Sequence, residues 1–162
     1  MIRLGAIPPN RSFSHPPLAV PAHSVLLIED DEASQYVYGT MLRRHGFTVH
    51  SARFGRVGLE AARADPPDVV VLDLGLPEFD GLEVLRALRA DPATRDVPTL
   101  VITVHVFDDD RERAIAAGCD EFLPKPLLPS ELLDAIHRTL EHRARAGAAE
   151  PPEATPDPST GG

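Results

Sequence analysis

The sequence predicts an α/β protein built on one open sheet of five parallel strands with helices on both faces. Three observations predict it. Short, nearly continuous apolar runs rich in β-branched residues recur at 25–28, 69–72 and 100–104, and such runs suit parallel strands buried on both faces. Stretches with apolar residues at helical spacing lie between and after them. Gly46 and Gly118 sit where helices would stop, each followed by strand-like sequence. Strand and helix alternating five times along a chain place the helices on the two faces of a parallel sheet.

Each element has its own signal. The first strand, 25–28, leads into a helix carrying Ala33, Val37 and Met41 at helical spacing. The second strand, 47–50, is weaker, and a helix over 54–64 follows it. Asp65-Pro-Pro-Asp68 reads as a plain turn before the third strand. Asp80-Gly81 opens a helix with Leu82, Leu85 and Leu88 on one face. After the fourth strand, Asp108-Asp109-Asp110 caps a helix over 109–117 whose apolar stripe, Ala114, Ile115 and Ala117, is thin. Cys119 is expected to be a buried small apolar residue leading into the fifth strand, 121–123. Pro129-Ser130-Glu131 opens the last helix with a capping residue and an early acid, and Leu132, Leu133, Ile136 and Leu140 form its inner face.

Composition narrows the function. The chain has 162 residues, 43% of them hydrophobic, which is enough for a sizeable core in one domain. It carries 16 Lys plus Arg against 25 Asp plus Glu, a net charge of −9 that argues against DNA or RNA as partner. One cysteine points to a reducing compartment, the cytoplasm. No apolar run approaches a membrane span, and prolines interrupt the N-terminus before a signal peptide could form. Of the 17 prolines, nine fall in residues 1–22 and 144–162. These segments read as disordered arms around a folded domain at 23–143.

In an open parallel sheet, ligands bind outside the carboxyl ends of the strands. Glu29, Asp30 and Asp31 follow the first strand, Asp73 ends the third, Thr103 ends the fourth, and the fifth runs into Lys125-Pro126. Gathered carboxylates repel unless a cation intervenes. Oxygen ligands of this kind suit magnesium, which takes one or two carboxylates, waters and a phosphate. A lysine and a hydroxyl beside the metal complete a phosphoryl-transfer site. Standing alone, the acidic triplet would be a helix N-terminus favoured by the dipole.

Four segments together resemble the receiver domain of two-component response regulators: Val25-Leu-Leu-Ile-Glu-Asp-Asp-Glu32, Val69-Val-Val-Leu-Asp-Leu-Gly-Leu-Pro-Glu-Phe-Asp-Gly81, Pro98-Thr-Leu-Val-Ile-Thr103 and Asp120-Glu-Phe-Leu-Pro-Lys-Pro126. They occur in family order, with 43 residues from Asp30 to Asp73, 30 to Thr103 and 22 more to Lys125. The resemblance spans residues 24–143 and implies the flavodoxin-like (βα)5 receiver fold. It implies that Asp73 accepts a phosphoryl group from a phosphohistidine on a sensor histidine kinase or histidine phosphotransfer protein. Asp30, Asp73 and the main-chain carbonyl of Gly75 would ligate Mg2+ (or Mn2+), with Glu29 as the other acidic position, usually acting through metal-bound water. Thr103 would hydrogen-bond a phosphoryl oxygen and Lys125 pair with another. Phe122 matches the switch aromatic, and Lys125-Pro126 a position where the family usually has a cis peptide. Signalling would then run through protein–protein contact, with a weak homodimer on phosphorylation as a further expectation and the downstream target unspecified. The product would be a phosphoprotein; at most the domain catalyses its own phosphorylation and dephosphorylation and is otherwise no enzyme.

Some positions depart from the family pattern. Val104 stands where a small residue is usual and either narrows access to Asp73 or only packs, and Gly75, without a side chain, would ease water entry and oppose any narrowing; the sequence does not decide which wins. His105 is expected to be an exposed loop residue without a catalytic part. About 20 residues follow the last helix, too few for an output domain, so the chain is expected to be a stand-alone receiver. Competing readings are a degenerate receiver that binds without being phosphorylated and a haloacid-dehalogenase-like phosphatase with an aspartate nucleophile. The phosphatase needs a second acid at the place of Gly75. A flavodoxin-like flavin binder is disfavoured because Glu29-Asp30-Asp31-Glu32 would repel phosphate.

Overall fold

The computed structural model describes residues 22–104 and 108–148, with only the backbone of residue 108. His105 and nearly all of the two expected arms therefore lie outside the described residues. The elements run Ser24–Ile28 (β1), Glu32–Arg44 (α1), Thr48–Ala52 (β2), Gly55–Ala64 (α2), Val69–Asp73 (β3), Gly81–Ala90 (α3), Thr99–Thr103 (β4), Asp108–Ala116 (α4), Glu121–Pro124 (β5) and Pro129–Ala148 (α5). All strands are parallel, in the order β2-β1-β3-β4-β5. The alternating pattern predicts this open parallel sheet, and the resemblance to receiver domains implies its flavodoxin-like form.

The three apolar runs are the three inner strands, and β3 and β4 are buried along their whole length. Alternate residues feed two cores. Ile28, Leu72, Val101 and Phe122 align across the sheet toward α2, α3 and α4. Leu27, Val71 and Leu100 align toward α1 and α5, where they meet Tyr38, Leu42, Leu132 and Ile136. Each such side chain contributes about 1.5–3 kcal/mol on burial, so the strand order is fixed by packing on both faces at once.

Several local expectations change. The inner face of α1 is Tyr38 and Leu42 with Met41 half-buried; Ala33 is exposed and Val37 is 46% exposed. The second strand extends to Ala52. Asp68 is more than a turn residue, since its Oδ2 accepts the Ser24 N–H at 2.6 Å and the Ser24 hydroxyl at 3.1 Å, tying the start of β3 to that of β1. Ser130 lies inside α5, and it is the Glu131 carboxylate that caps the helix by accepting the Leu128 N–H at 2.8 Å. Cys119 is half-buried, and burial pushes its thiol pKa up. The last helix continues to Ala148, past the expected end at 143. Gly118, at φ +95°, provides the left-handed turn that ends the α4 segment. Among the described residues, no helix is long and apolar enough to cross a membrane.

Candidate functional site

The carboxyl ends of β1, β3 and β5 bring four charged side chains together. Glu29, immediately after β1, is fully buried, and its N–H donates to the Ala52 carbonyl at 3.0 Å. Asp73, the last residue of β3, is 6% exposed. Lys125, just beyond β5, donates from Nζ to Glu29 Oε2 at 2.6 Å and to Asp73 Oδ2 at 2.8 Å. The second Asp73 oxygen accepts the Gly75 N–H at 2.8 Å, and the second Glu29 oxygen accepts the Asp31 N–H at 3.2 Å. Asp30 lies half-exposed between them, and carboxylate oxygens of Glu29, Asp30 and Asp73 fall within 4.8 Å of one another.

Backbone geometry sets these positions. The Lys125 N–H donates to the Thr103 carbonyl at 2.8 Å, which locks the lysine to the end of β4. The peptide between Lys125 and Pro126 is cis, as the resemblance implies. Gly81 lets the start of α3 sit against the end of β3: a Cβ there would lie 2.4 Å from Leu74 Cα and 2.6 Å from the Asp73 carbonyl oxygen. Only glycine fits so close a backbone approach. Asp31 is drawn away from the cluster to cap α1, accepting the Ser34 N–H at 2.7 Å, and that bond holds its carboxyl below the ordinary range. One member of the acidic triplet is thus the helix cap, and the other two face the site.

The electrostatics are those of an under-neutralised pocket. Burial pushes the Glu29 carboxyl above its ordinary pKa, and the neighbouring Asp73 charge adds to the rise against the opposing pull of Lys125. Burial alone would lower Lys125, but its hydrogen bonds to Asp73 and Glu29 outweigh that and hold the ammonium above its ordinary value. Three carboxylates share one ammonium, and every ligand atom on offer is oxygen. That donor set and charge deficit fit a hard divalent cation.

The remaining candidates sit around this cluster. Thr103 is buried at the end of β4 beside Pro124 of the neighbouring strand. Gly75 meets Asp73 through its amide. Phe122 is half-buried against the core under α2, α3 and α4. Val104 is 65% exposed. Two residues escape sequence reasoning. Gln35 of α1 donates from Nε2 to the carbonyls of Glu29 and Ala52, and the Tyr38 hydroxyl donates to the Leu127 carbonyl at 3.2 Å, beside the lysine loop. A glutamine in a helix carries no signal of an inward contact, whereas a buried tyrosine calls for a partner for its hydroxyl.

Comparison with known proteins points the same way. A family model described as the response regulator receiver domain matches residues 25–137. The response regulator MprA of Mycolicibacterium vanbaalenii is 38% identical over 116 residues, covering 72% of this chain and 49% of its own length, so this chain spans about half of that relative. The polar-differentiation response regulator DivK of Brucella ovis is 30% identical over 113 residues, 70% of this chain and 92% of that protein. Among solved structures, the CheY-like receiver from Methanospirillum hungatei superposes with a TM-score of 0.73 over 78% of this chain and 99% of its own, at 24% identity, a likeness of fold. The receiver domain of a sensor histidine kinase from Pseudomonas aeruginosa, which has a magnesium ion coordinated in its active-site cleft, gives 0.69 at 31% identity over 74% of this chain and 98% of its own.

Proposed function

Because the chain belongs to the response regulator receiver family, a family of two-component signalling modules, we propose that it is a stand-alone phosphoacceptor, phosphorylated on Asp73. The donor is a phosphohistidine of a sensor kinase or phosphotransfer protein in the cytoplasm, and the output is protein–protein contact. One observation carries this reading: a single ammonium, Lys125, bridges two buried carboxylates at the ends of β1 and β3, with a third beside them. A receiver that only bound partners has no use for so costly an arrangement, since buried like charges destabilise the fold.

Glu29, Asp30, Asp73 and the Gly75 carbonyl would hold Mg2+ or Mn2+. When bound, the cation supplies charge neutralisation for an anionic phosphoryl group approaching a carboxylate. Asp73 then attacks phosphorus in line, the P–N bond to the imidazole breaks, and the imidazole leaves with its electron pair. Lys125 exchanges a carboxylate for a phosphoryl oxygen, and the buried Thr103 hydroxyl donates to another. Phe122 lies in the row that ends at β5, next to Leu123, the neighbour of Ile102 and so one residue from Thr103, where a shift at β4 reaches it.

The test is direct. The full chain, incubated with acetyl phosphate and magnesium chloride, gains one phosphoryl mass, and Asp73→Asn gains none. A wild type that stays unmodified with this donor and with phosphohistidine proteins overturns the reading; modification that persists in Asp73→Asn overturns the site.

A further inference from the structure

We propose that Gln35 is a positioning residue that sets the geometry of the Glu29–Asp30 segment for its cation, a role that rests on the phosphoacceptor reading. The geometry is a closed loop of main-chain and side-chain bonds. Gln35 Nε2 donates to the Glu29 carbonyl at 2.6 Å and to the Ala52 carbonyl at 3.1 Å. The Glu29 N–H donates to that same Ala52 carbonyl at 3.0 Å. One primary amide therefore joins the ends of β1 and β2 to the first turn of α1. At the other end of the connection, the Gln35 N–H donates to the Asp31 carbonyl at 3.0 Å, and Asp31 caps the helix. Asp30 lies between these two anchors.

With Gln35 in place, Glu29 is held at its N–H, its carbonyl and both carboxylate oxygens. The carbonyl is the only one of these held by a side chain from another element that bears no charge and takes no place in the cluster. Without it, the short connection to α1 can turn about Glu29, and Asp30 is the residue that such a turn displaces. Partners that orient metal ligands commonly tune affinity by about 10–100-fold.

Magnesium chloride titrated into the full chain by calorimetry tests this. Gln35→Met keeps the length and removes both donors, and Gln35→Glu keeps the shape but aims acceptors at two carbonyls. Both are expected to raise the Mg2+ dissociation constant by about 10–100-fold, while phosphoryl incorporation from acetyl phosphate at saturating Mg2+ approaches the wild-type level, because Asp73, Thr103 and Lys125 are untouched. Thr94→Val serves as a stability control: it removes a buried bond from the Thr94 hydroxyl to the Leu88 carbonyl at the far end of α3, and its Mg2+ affinity should equal that of the wild type. A folded Gln35 variant with wild-type affinity overturns the proposal, as does an equal loss in Thr94→Val. If neither Gln35 variant folds, Gln35 is a stability residue and the proposal is overturned as well. A wild type that binds no Mg2+ shows instead that the phosphoacceptor reading has failed, and the positioning role falls with it.

Discussion

Lys125 is the only lysine in the chain; the other 15 basic residues are arginines. The site explains the exception. Nζ reaches Glu29 and Asp73 at 2.6 and 2.8 Å from a side chain that is 13% exposed, so the space between the carboxylates admits a compact, rotatable ammonium. A guanidinium is planar and larger, and pairs with one carboxylate as a fork rather than bridging two as a point charge. Arg53, Arg63, Arg89 and Arg138 form their ion pairs nearer the surface, where there is room for the fork. Lys125→Arg should therefore cost about 1–3 kcal/mol in urea unfolding through overpacking and reduce phosphoryl incorporation sharply despite conserved charge. Incorporation at the wild-type rate in Lys125→Arg would mean that charge alone is required here, and the bridging geometry would lose its explanatory role.

The helices are held by specific ends as much as by their apolar faces, and α3 illustrates this. Asp91 stands at its C-terminus, where the helix dipole disfavours an acid. Two partners reverse the balance: the Ala93 N–H donates to Asp91 Oδ1 at 3.0 Å and Arg63 of α2 donates to Oδ2 at 2.7 Å. Chiefly through the backbone bond, the Asp91 carboxyl is held below its ordinary pKa of 3.8. A carboxyl lowered in the folded state adds stability that is present above 3.8 and lost as pH falls through its folded value. The melting-temperature difference between wild type and Asp91→Ala should accordingly be visible at pH 6 and shrink below pH 3.8. A difference that is constant with pH would show that the ionised carboxyl is not what joins α2 to α3. Sequence legibility divides along the same line. The inner strands were readable because burial on both faces leaves continuous apolar runs, and Asp73, Thr103 and Lys125 were readable because each lies at a strand end. The inward face of α1 was not, because Ala33, Val37 and Met41 stand at helical spacing just as Tyr38 and Leu42 do, and Gln35 turns its donor to main-chain carbonyls, which leaves no periodic trace. Asp68 looked like a turn for a similar reason: its partners are the backbone and hydroxyl of Ser24, 44 residues away.

The charge of the molecule is −9, and among the described residues some of its acids have local partners while others lack enough of them. Asp31 and Asp80 cap helices, Asp68 ties two strands, and Glu32, Asp91, Asp120 and Glu121 each face an arginine. Glu29, Asp30 and Asp73 have one ammonium among them. The fold thus carries a built-in repulsion at one sheet end, which a divalent cation held there would relieve in the folded state alone, because unfolding scatters residues 29, 30 and 73 along the chain. Ligand linkage then gives the size of the effect: at ten times the dissociation constant, the folded state gains about 1.4 kcal/mol, which for a domain of this length corresponds to a melting-temperature rise on the order of 5 °C. Magnesium chloride should produce that rise, and sodium chloride at equal ionic strength should not, since general screening acts on every surface acid and not on this cluster in particular. Asp30→Ala should be at least as stable as wild type without magnesium, having lost one repelling charge, and should gain little when magnesium is added. Equal rises in the two salts, or a full magnesium response in Asp30→Ala, would place the relieved repulsion elsewhere on the surface and remove the reason for grouping these three carboxylates as a cation site.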